Sequence, residues 1–146
     1  MRTAAVPEIS GRFLGAERRY DGVMRLWILL GAVNGFLSVA LGAFAAHGLK
    51  ARAPADQQAW FETGARYHMY HALALVLLGL FVASRPSTMA NAAGWSFVAG
   101  ITLFSGSLYV MGVSGIRALG AITPFGGLGF LAGWALFALA TWRSGS

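Results

Sequence analysis

Histidine, tyrosine and arginine side chains that could perform chemistry lie next to the ends of long apolar stretches of this sequence. Neutral imidazoles from two helices can hold a metal or a haem. His68 and His71 are three residues apart, a spacing that puts both on one face of a helix. In an antiparallel bundle we expect one membrane interface to collect a candidate polar site, which consists of His47, His68, His71, Tyr67, Tyr70, Arg117 and Thr123.

Two interpretations of this polar set are open. In the first, the histidines bind a cofactor or a quinone. In the second, which we favour, the tyrosines and histidines form an aromatic belt at the headgroups and bond to loop carbonyls. Three histidines without a cysteine or a deep carboxylate are an incomplete metal-binding set, and the sequence has no HExxH motif. The sequence therefore predicts no metal, no cofactor and no catalytic residue.

Polar side chains inside the apolar stretches form a second candidate group: Asn34, Ser38, Thr102, Ser105 and Ser107. Interhelical hydrogen bonds between such groups contribute on average about 0.6 kcal/mol, so we favour helix packing over lining of a substrate path. Transport coupled to an ion gradient needs a charge at membrane depth, and no Asp, Glu, Lys or Arg lies there. A small uncoupled pore or carrier lined by Asn34 and Ser105 is the remaining alternative.

Four apolar stretches must position these side chains. Of the 146 residues, 57% are hydrophobic and 11% are charged, against about 25% charged residues in soluble domains. Residues 26–49 carry no charge and as a helix would reach about 36 Å, beyond the roughly 30 Å apolar core of a bilayer. We predict an all-α integral membrane protein. Its expected form is an antiparallel four-helix bundle of two hairpins, with spans near 26–48, 67–84, 94–113 and 124–142 and an interfacial helix before the second span.

The N-terminal end of the chain carries much of the charge. Residues 1–23 mix arginines with acidic residues and predict a flexible polar tail, or a mis-assigned start if translation begins at Met24. Residues 24–146 form the membrane domain. With the tail included, basic residues are more numerous on the side of the termini, which predicts cytoplasmic termini in an inner membrane. The net charge of +6 is spread singly between spans, so we expect the lipid bilayer and not nucleic acid as its partner.

Small residues recur at spacings typical of helix packing in membranes. The set comprises Gly31, Gly35, Gly42, Gly129 and Gly133. Glycine lets two backbones approach closely where no hydrophobic effect drives the helices together. We expect these positions to pack helices against each other, within the chain, in a homo-oligomer or in a larger membrane complex.

Four short blocks carry a resemblance to a known family. They are GAFAAH at residues 42–47, YHMYHALAL at 67–75, FSGSLY at 104–109 and ITPFGG at 122–127. Together they resemble the domain of unknown function 423 family, the YgdD-like inner-membrane proteins, which are similar to transmembrane protein 256. The resemblance implies a small protein with four membrane helices, no established activity and no assigned catalytic residues. Residues before Met24 depart from the pattern.

These observations favour a small multi-pass membrane protein of uncharacterised activity. We expect it to be non-enzymatic and to act as a structural or accessory component of the membrane. The alternatives are a cofactor- or quinone-binding protein that uses interfacial histidines, and a small uncoupled pore or carrier.

Overall fold

The computed structural model describes the backbone of residues 9–145 and the side chains of residues 21–145. Within residues 9–145 the structure is helical and contains no strand. The helices are α1 (Ile9–Phe44), α2 (Ala55–Ser84), α3 (Thr88–Gly100), α4 (Gly106–Ser114) and α5 (Thr123–Arg143). Wide π-helical turns extend α1 over Ala45–Leu49 and join α3 to α4 over Ile101–Ser105, and a short 3-10 turn, Arg117–Ala121, precedes α5.

Four stretches of helix in residues 21–145 are long and apolar enough to cross a membrane, which confirms the predicted all-α fold. They are Asp21–Leu49, Ala55–Ser84, Thr88–Ser114 and Arg117–Arg143. Each is longer than predicted, because charges near a membrane surface do not end a helix. The largest difference is in α2, which begins at Ala55 directly after Pro54. The helix predicted before the second span is therefore its first three turns.

Part of the region predicted as a polar tail has a described structure. The backbone of residues 9–23 is helical and continuous with the first span. Residues 1–8 lie outside the described residues, so the tail and the alternative start at Met24 stay predictions.

The spans pack as two helical hairpins. α1 packs chiefly on α2, and α5 packs chiefly on α3, while α2 joins the two hairpins through α4. The largest side chains of the interior include Trp27, Phe61, Phe97 and Leu75, each no more than 1% exposed. The indole N–H of Trp27 donates to Asn91 Oδ1 at 2.9 Å, so the first span is also bonded to the third.

The glycines of the predicted packing set occupy two different environments. A Cβ built on Gly31 would lie 2.8 Å from the carbonyl oxygen of Ala72, and one on Gly129 would lie 3.2 Å from Gly100 Cα. Gly133 is similarly covered by the ring of Phe97. These three glycines permit close helix contacts inside the chain. A Cβ on Gly35 or Gly42 would meet nothing within 4 Å among the described residues, so these two face outward.

The connection between α4 and α5 is held against the start of α2. Gly115 ends α4 with φ +73°, a left-handed conformation that favours glycine. The Arg117 guanidinium donates to the Asp56 carboxylate at 2.8 Å and lies 5.6 Å from the ring centre of Trp60. These contacts hold the connection at one end of the bundle.

Candidate functional site

His68 connects three spans through hydrogen bonds inside the bundle. Its Nε2 lies 2.9 Å from Asn34 Oδ1 on α1, and its Nδ1 lies 3.0 Å from the hydroxyl of Tyr109 on α4. The imidazole is 4% exposed. Asn34, which sequence reasoning treated as a separate intramembrane residue, therefore belongs to the same site as His68.

The partners of His68 define its protonation. The Asn34 amide N–H donates to the carbonyl oxygen of Leu30 at 2.8 Å, which leaves Asn34 Oδ1 as an acceptor. Nε2 of His68 then donates to this oxygen. A neutral imidazole with its proton on Nε2 satisfies all of these groups, because its Nδ1 accepts a hydrogen bond from the Tyr109 hydroxyl.

His71 is buried one turn further along α2 and has the opposite tautomer. Its Nδ1 lies 2.7 Å from the carbonyl oxygen of Tyr67, which can only accept, so Nδ1 carries the proton. The indole N–H of Trp134 donates to His71 Nε2 at 3.2 Å. Phe130 covers one face of the imidazole, with ring centroids 3.4 Å apart. Both ring nitrogens and one ring face are thus occupied by the protein.

The two imidazoles lie at mid-height of the bundle, and their predicted position at its end is wrong. His71 is 16 residues from the first residue of α2 and 13 residues from the last. Its neighbour Phe130 is the central residue of the span Arg117–Arg143. The predicted depth was counted from Arg66, but α2 continues for three turns beyond that charge.

The other members of the predicted polar site lie elsewhere. His47 is exposed near the end of the first span, 13 residues beyond Asn34, which corresponds to about 20 Å along a helix. Arg117 lies at the same end of the bundle, paired with Asp56. Thr123 bonds to the hydroxyl of Ser107 at 2.8 Å and so joins α5 to α4. The structure therefore brings together Tyr67, His68, Tyr70 and His71 of α2, but it places His47, Arg117 and Thr123 apart from them.

The remaining intramembrane polar residues serve helix contacts or their own helix. Ser38 donates to the carbonyl oxygen of Ala65 at 2.8 Å, across the first hairpin. Thr102 is exposed and donates to the carbonyl of Val98, one turn earlier in the same helix. The hydroxyl of Ser105 is buried and has no hydrogen-bond partner among the described residues.

Two residues that complete the site were not identified from the sequence. Tyr109 donates a hydrogen bond to His68, and Trp134 donates one to His71. Tyrosine and tryptophan are common at membrane interfaces, so residue type alone gives no signal, although Tyr109 is the last residue of the FSGSLY block. Their roles depend on contacts between residues 41 and 63 positions apart, which only the packing of the spans creates.

An apolar groove of about 620 Å³ opens beside His71. Its wall on α2 consists of Tyr67, Tyr70 and His71, and its wall on α5 includes Leu128, Phe130 and Trp134. Tyr70 is 54% exposed and Trp134 is 45% exposed, so the groove faces the surroundings of the bundle.

The chemistry available to these groups is limited. Within the described residues no three His, Cys, Asp or Glu side chains come together in a way that could hold a metal ion. A metal or haem needs an imidazole nitrogen with an available lone pair. His68 and His71 have each committed both nitrogens to protein groups.

Comparison with known proteins identifies relatives over most of the chain. Residues 41–127 match the family described as Protein of unknown function (DUF423). The chain is 47% identical over 119 residues to UPF0382 membrane protein YwdK of Bacillus subtilis, covering 80% of this chain and 96% of that protein. It is 42% identical over 120 residues to a UPF0382 membrane protein of Staphylococcus haemolyticus, covering 82% and 98%. No solved structure shows a significant match.

Proposed function

This chain belongs to the DUF423 family of membrane proteins, and we propose that it is a non-enzymatic structural or accessory component of the inner membrane. The observation that carries this proposal is the state of the two buried histidines. Each imidazole has one nitrogen donating to and one accepting from a protein group. Such satisfied networks fix the arrangement of helices and leave no group poised to react.

The burial of the spans supports an accessory role. Only 17% of the most apolar window of the first and fourth spans is buried, against 44% for the second and third. The outer spans therefore offer large apolar surfaces to lipid or to other membrane subunits. On α1 the open surface includes Gly35 and Gly42, where another helix could approach closely. We propose this face of α1 as the surface for a homo-oligomer or a larger membrane complex.

The distribution of charge supports an orientation with both termini in the cytoplasm. The antiparallel spans put Arg25, Arg85 and Arg143 at the same end of the bundle, and the sequence before Asp21 contains four further arginines. The opposite half of the bundle carries Lys50, Arg52, Arg66 and Arg117. Cytoplasmic ends of membrane spans carry the excess of basic residues. Nucleic acid is not proposed as a partner, because the basic residues form no continuous stripe.

The contacts of Asn34 and Ser105 do not favour a pore. The amide of Asn34 is bonded to Leu30 and His68, and Ser105 is fully buried. Neither side chain therefore lines an open path.

Purification of the tagged chain from its membranes in mild detergent tests the proposal. We expect native mass spectrometry to give an assembly, either of several copies of the chain or of the chain with other polypeptides. We expect the absorption spectrum to lack a Soret band and metal analysis to find no stoichiometric metal. Gly35→Leu should reduce the mass of the complex, whereas Gly106→Leu, at another open position, should not.

Two results would contradict this proposal. A haem spectrum or a bound metal that disappears in His71→Ala would contradict the proposed role. Identical complexes from wild type and Gly35→Leu would exclude the face of α1 as the assembly surface.

A further inference from the structure

The groove beside His71 contains two phenol groups without hydrogen-bond partners. Among the residues that the structure describes, nothing accepts from or donates to the hydroxyls of Tyr67 and Tyr70. Their ring centroids are 6.0 Å apart, so the two groups are neighbours on one face of α2. Both residues line the groove.

A tyrosine hydroxyl in a membrane helix cannot be satisfied in the way that a serine or threonine hydroxyl can. Thr102 and Thr141 satisfy their hydroxyls on the carbonyl four residues earlier in their own helix. The phenol of tyrosine is too long and rigid to turn back in this way. Tyr109, the third tyrosine in the spans, is satisfied by His68. The two groove tyrosines thus present donors outward, toward an apolar medium in which an unmade hydrogen bond is costly.

The walls of the groove are aromatic and fixed. The Tyr67 ring lies 4.9 Å from Phe104 and 6.3 Å from Phe130 by centroids. Trp134 is held by its bond to His71 and lies edge-on to Phe97 at 5.2 Å. These rings are in contact with one another, so a flat ring would stack or pack edge-on against the outer faces that they present to the groove. The volume of about 620 Å³ lies within the range of small-molecule sites.

We propose that this groove binds a quinone, a flat ring with carbonyl acceptors that is carried on an apolar tail in the membrane. The tyrosine hydroxyls donate to one carbonyl oxygen, and the ring packs against the aromatic wall. The tail lies along the open side of α5, past Leu128 and Leu131. An acyl chain of a phospholipid fits the groove less well, because it has neither a ring nor an acceptor.

Fluorine NMR of the full chain labelled with 3-fluorotyrosine, in phosphatidylcholine nanodiscs, tests this site. The probe is decylubiquinone, a quinone with a short tail. We expect the resonances of Tyr67 and Tyr70 to shift with saturation as the quinone is added. The resonance of Tyr109 should not move, because its hydroxyl is already bonded inside the bundle.

Three variants separate binding in the groove from general partition into the lipid. Gly127→Leu fills the groove without a clash, because a Cβ at this position meets only Phe104 Cδ2 at 3.9 Å. Gly127→Leu should abolish the saturable shift, and Gly106→Leu should not.

Replacing both phenols, Tyr67→Phe with Tyr70→Phe, should weaken binding about tenfold, as expected for two hydrogen bonds. Quenching of tryptophan fluorescence by the quinone measures the binding affinity of this variant.

Three results would overturn the assignment. Equal, non-saturating shifts at all tyrosines would mean that the quinone only dissolves in the bilayer. An unchanged titration in Gly127→Leu would place the quinone outside the groove. Shifts of Tyr67 and Tyr70 that follow the protein-to-lipid ratio without quinone would identify a second copy of the chain as the occupant.

Discussion

The imidazole of His71 lies flat on the ring of Phe130, with centroids 3.4 Å apart and planes 5° from parallel. Trp134, one turn further along α5, donates to the edge of the same imidazole. A direct face-to-face arrangement is less favourable than an offset or edge-on one, so the packing of the side chains around His71 imposes this contact. A single side chain of α2 is therefore held by two side chains of α5.

Replacing Trp134 should reveal the value of its bond to His71. In Trp134→Phe the acceptor nitrogen of a buried imidazole loses its donor, which should lower the free energy of unfolding by about 1–3 kcal/mol. Trp142→Phe is the matched control, because Trp142 is 81% exposed. Unfolding in mixed micelles measures both variants. Equal stability of the two would show that the His71 bond contributes nothing.

The bond between Asn34 and His68 should appear as a coupling energy. In a double-mutant cycle of Asn34→Ala and His68→Ala, we expect a coupling of about 0.6–1.7 kcal/mol, the range found for interhelical hydrogen bonds in a membrane protein. Steric trapping in bicelles gives the required free energies. Pairing His68→Ala with Thr102→Ala, a residue bonded only to its own helix, should give no coupling. Additive effects of Asn34 and His68 would contradict the network.

Gly126 should not tolerate even a methyl group. A Cβ at this position would overlap the backbone of Phe104, so Gly126→Ala must separate α5 from the third span. We expect a loss of about 1–3 kcal/mol, as for other overpacked interiors. Gly127→Ala, at the next residue, has room and should stay within about 0.5 kcal/mol of wild type. Thermal denaturation in detergent compares them, and similar melting temperatures would refute the close contact.

The left-handed backbone conformation at Gly115 should make glycine the most stable residue at this position. Its φ of +73° costs an alanine about 1–2 kcal/mol, and asparagine less, because asparagine visits this region more readily. We therefore expect stability to decrease in the order Gly115, Gly115→Asn, Gly115→Ala, measured by chemical unfolding. Gly120→Ala in the same connection has ordinary contacts and should be neutral. An alanine variant as stable as wild type would show that the turn relaxes.

Labelling of single cysteines should determine the orientation. The chain contains no cysteine, so Arg52→Cys and Arg85→Cys each provide one thiol, at opposite ends of α2. With cytoplasmic termini, a membrane-impermeant maleimide should label Arg52→Cys in intact cells and Arg85→Cys only after permeabilisation. The reverse pattern would put the termini outside. Labelling of both from one side would contradict the antiparallel hairpin.

The number and order of the spans could be predicted from the sequence because charged residues bound each apolar stretch. The same boundaries misplaced His68 and His71. Arg66 ends the uncharged stretch, but it does not end the helix, which begins at Ala55. Helix bonding continues through polar residues near a membrane surface, so charge gives the existence of a span and not its length.

The grouping of polar residues depended on packing that no local pattern encodes. Gly31 and Gly35 form one GxxxG motif, yet Gly31 meets α2 and Gly35 meets nothing within 4 Å among the described residues. The motif predicts that small residues lie on one side of the helix, but it does not predict which of them contact another helix of the bundle. Likewise Asn34 and His68 were each identified as polar residues, but their pairing is decided by the register of α1 on α2.

The order in which the helices pack has a consequence for biosynthesis. Each outer span finds its main partner in a neighbouring span of the chain: α1 on α2, and α5 on α3. Contacts between segments close in sequence require little loop closure and form early. The first hairpin can therefore close as soon as the second span enters the bilayer from the ribosome, and the last span to be synthesised completes the enclosure of His71.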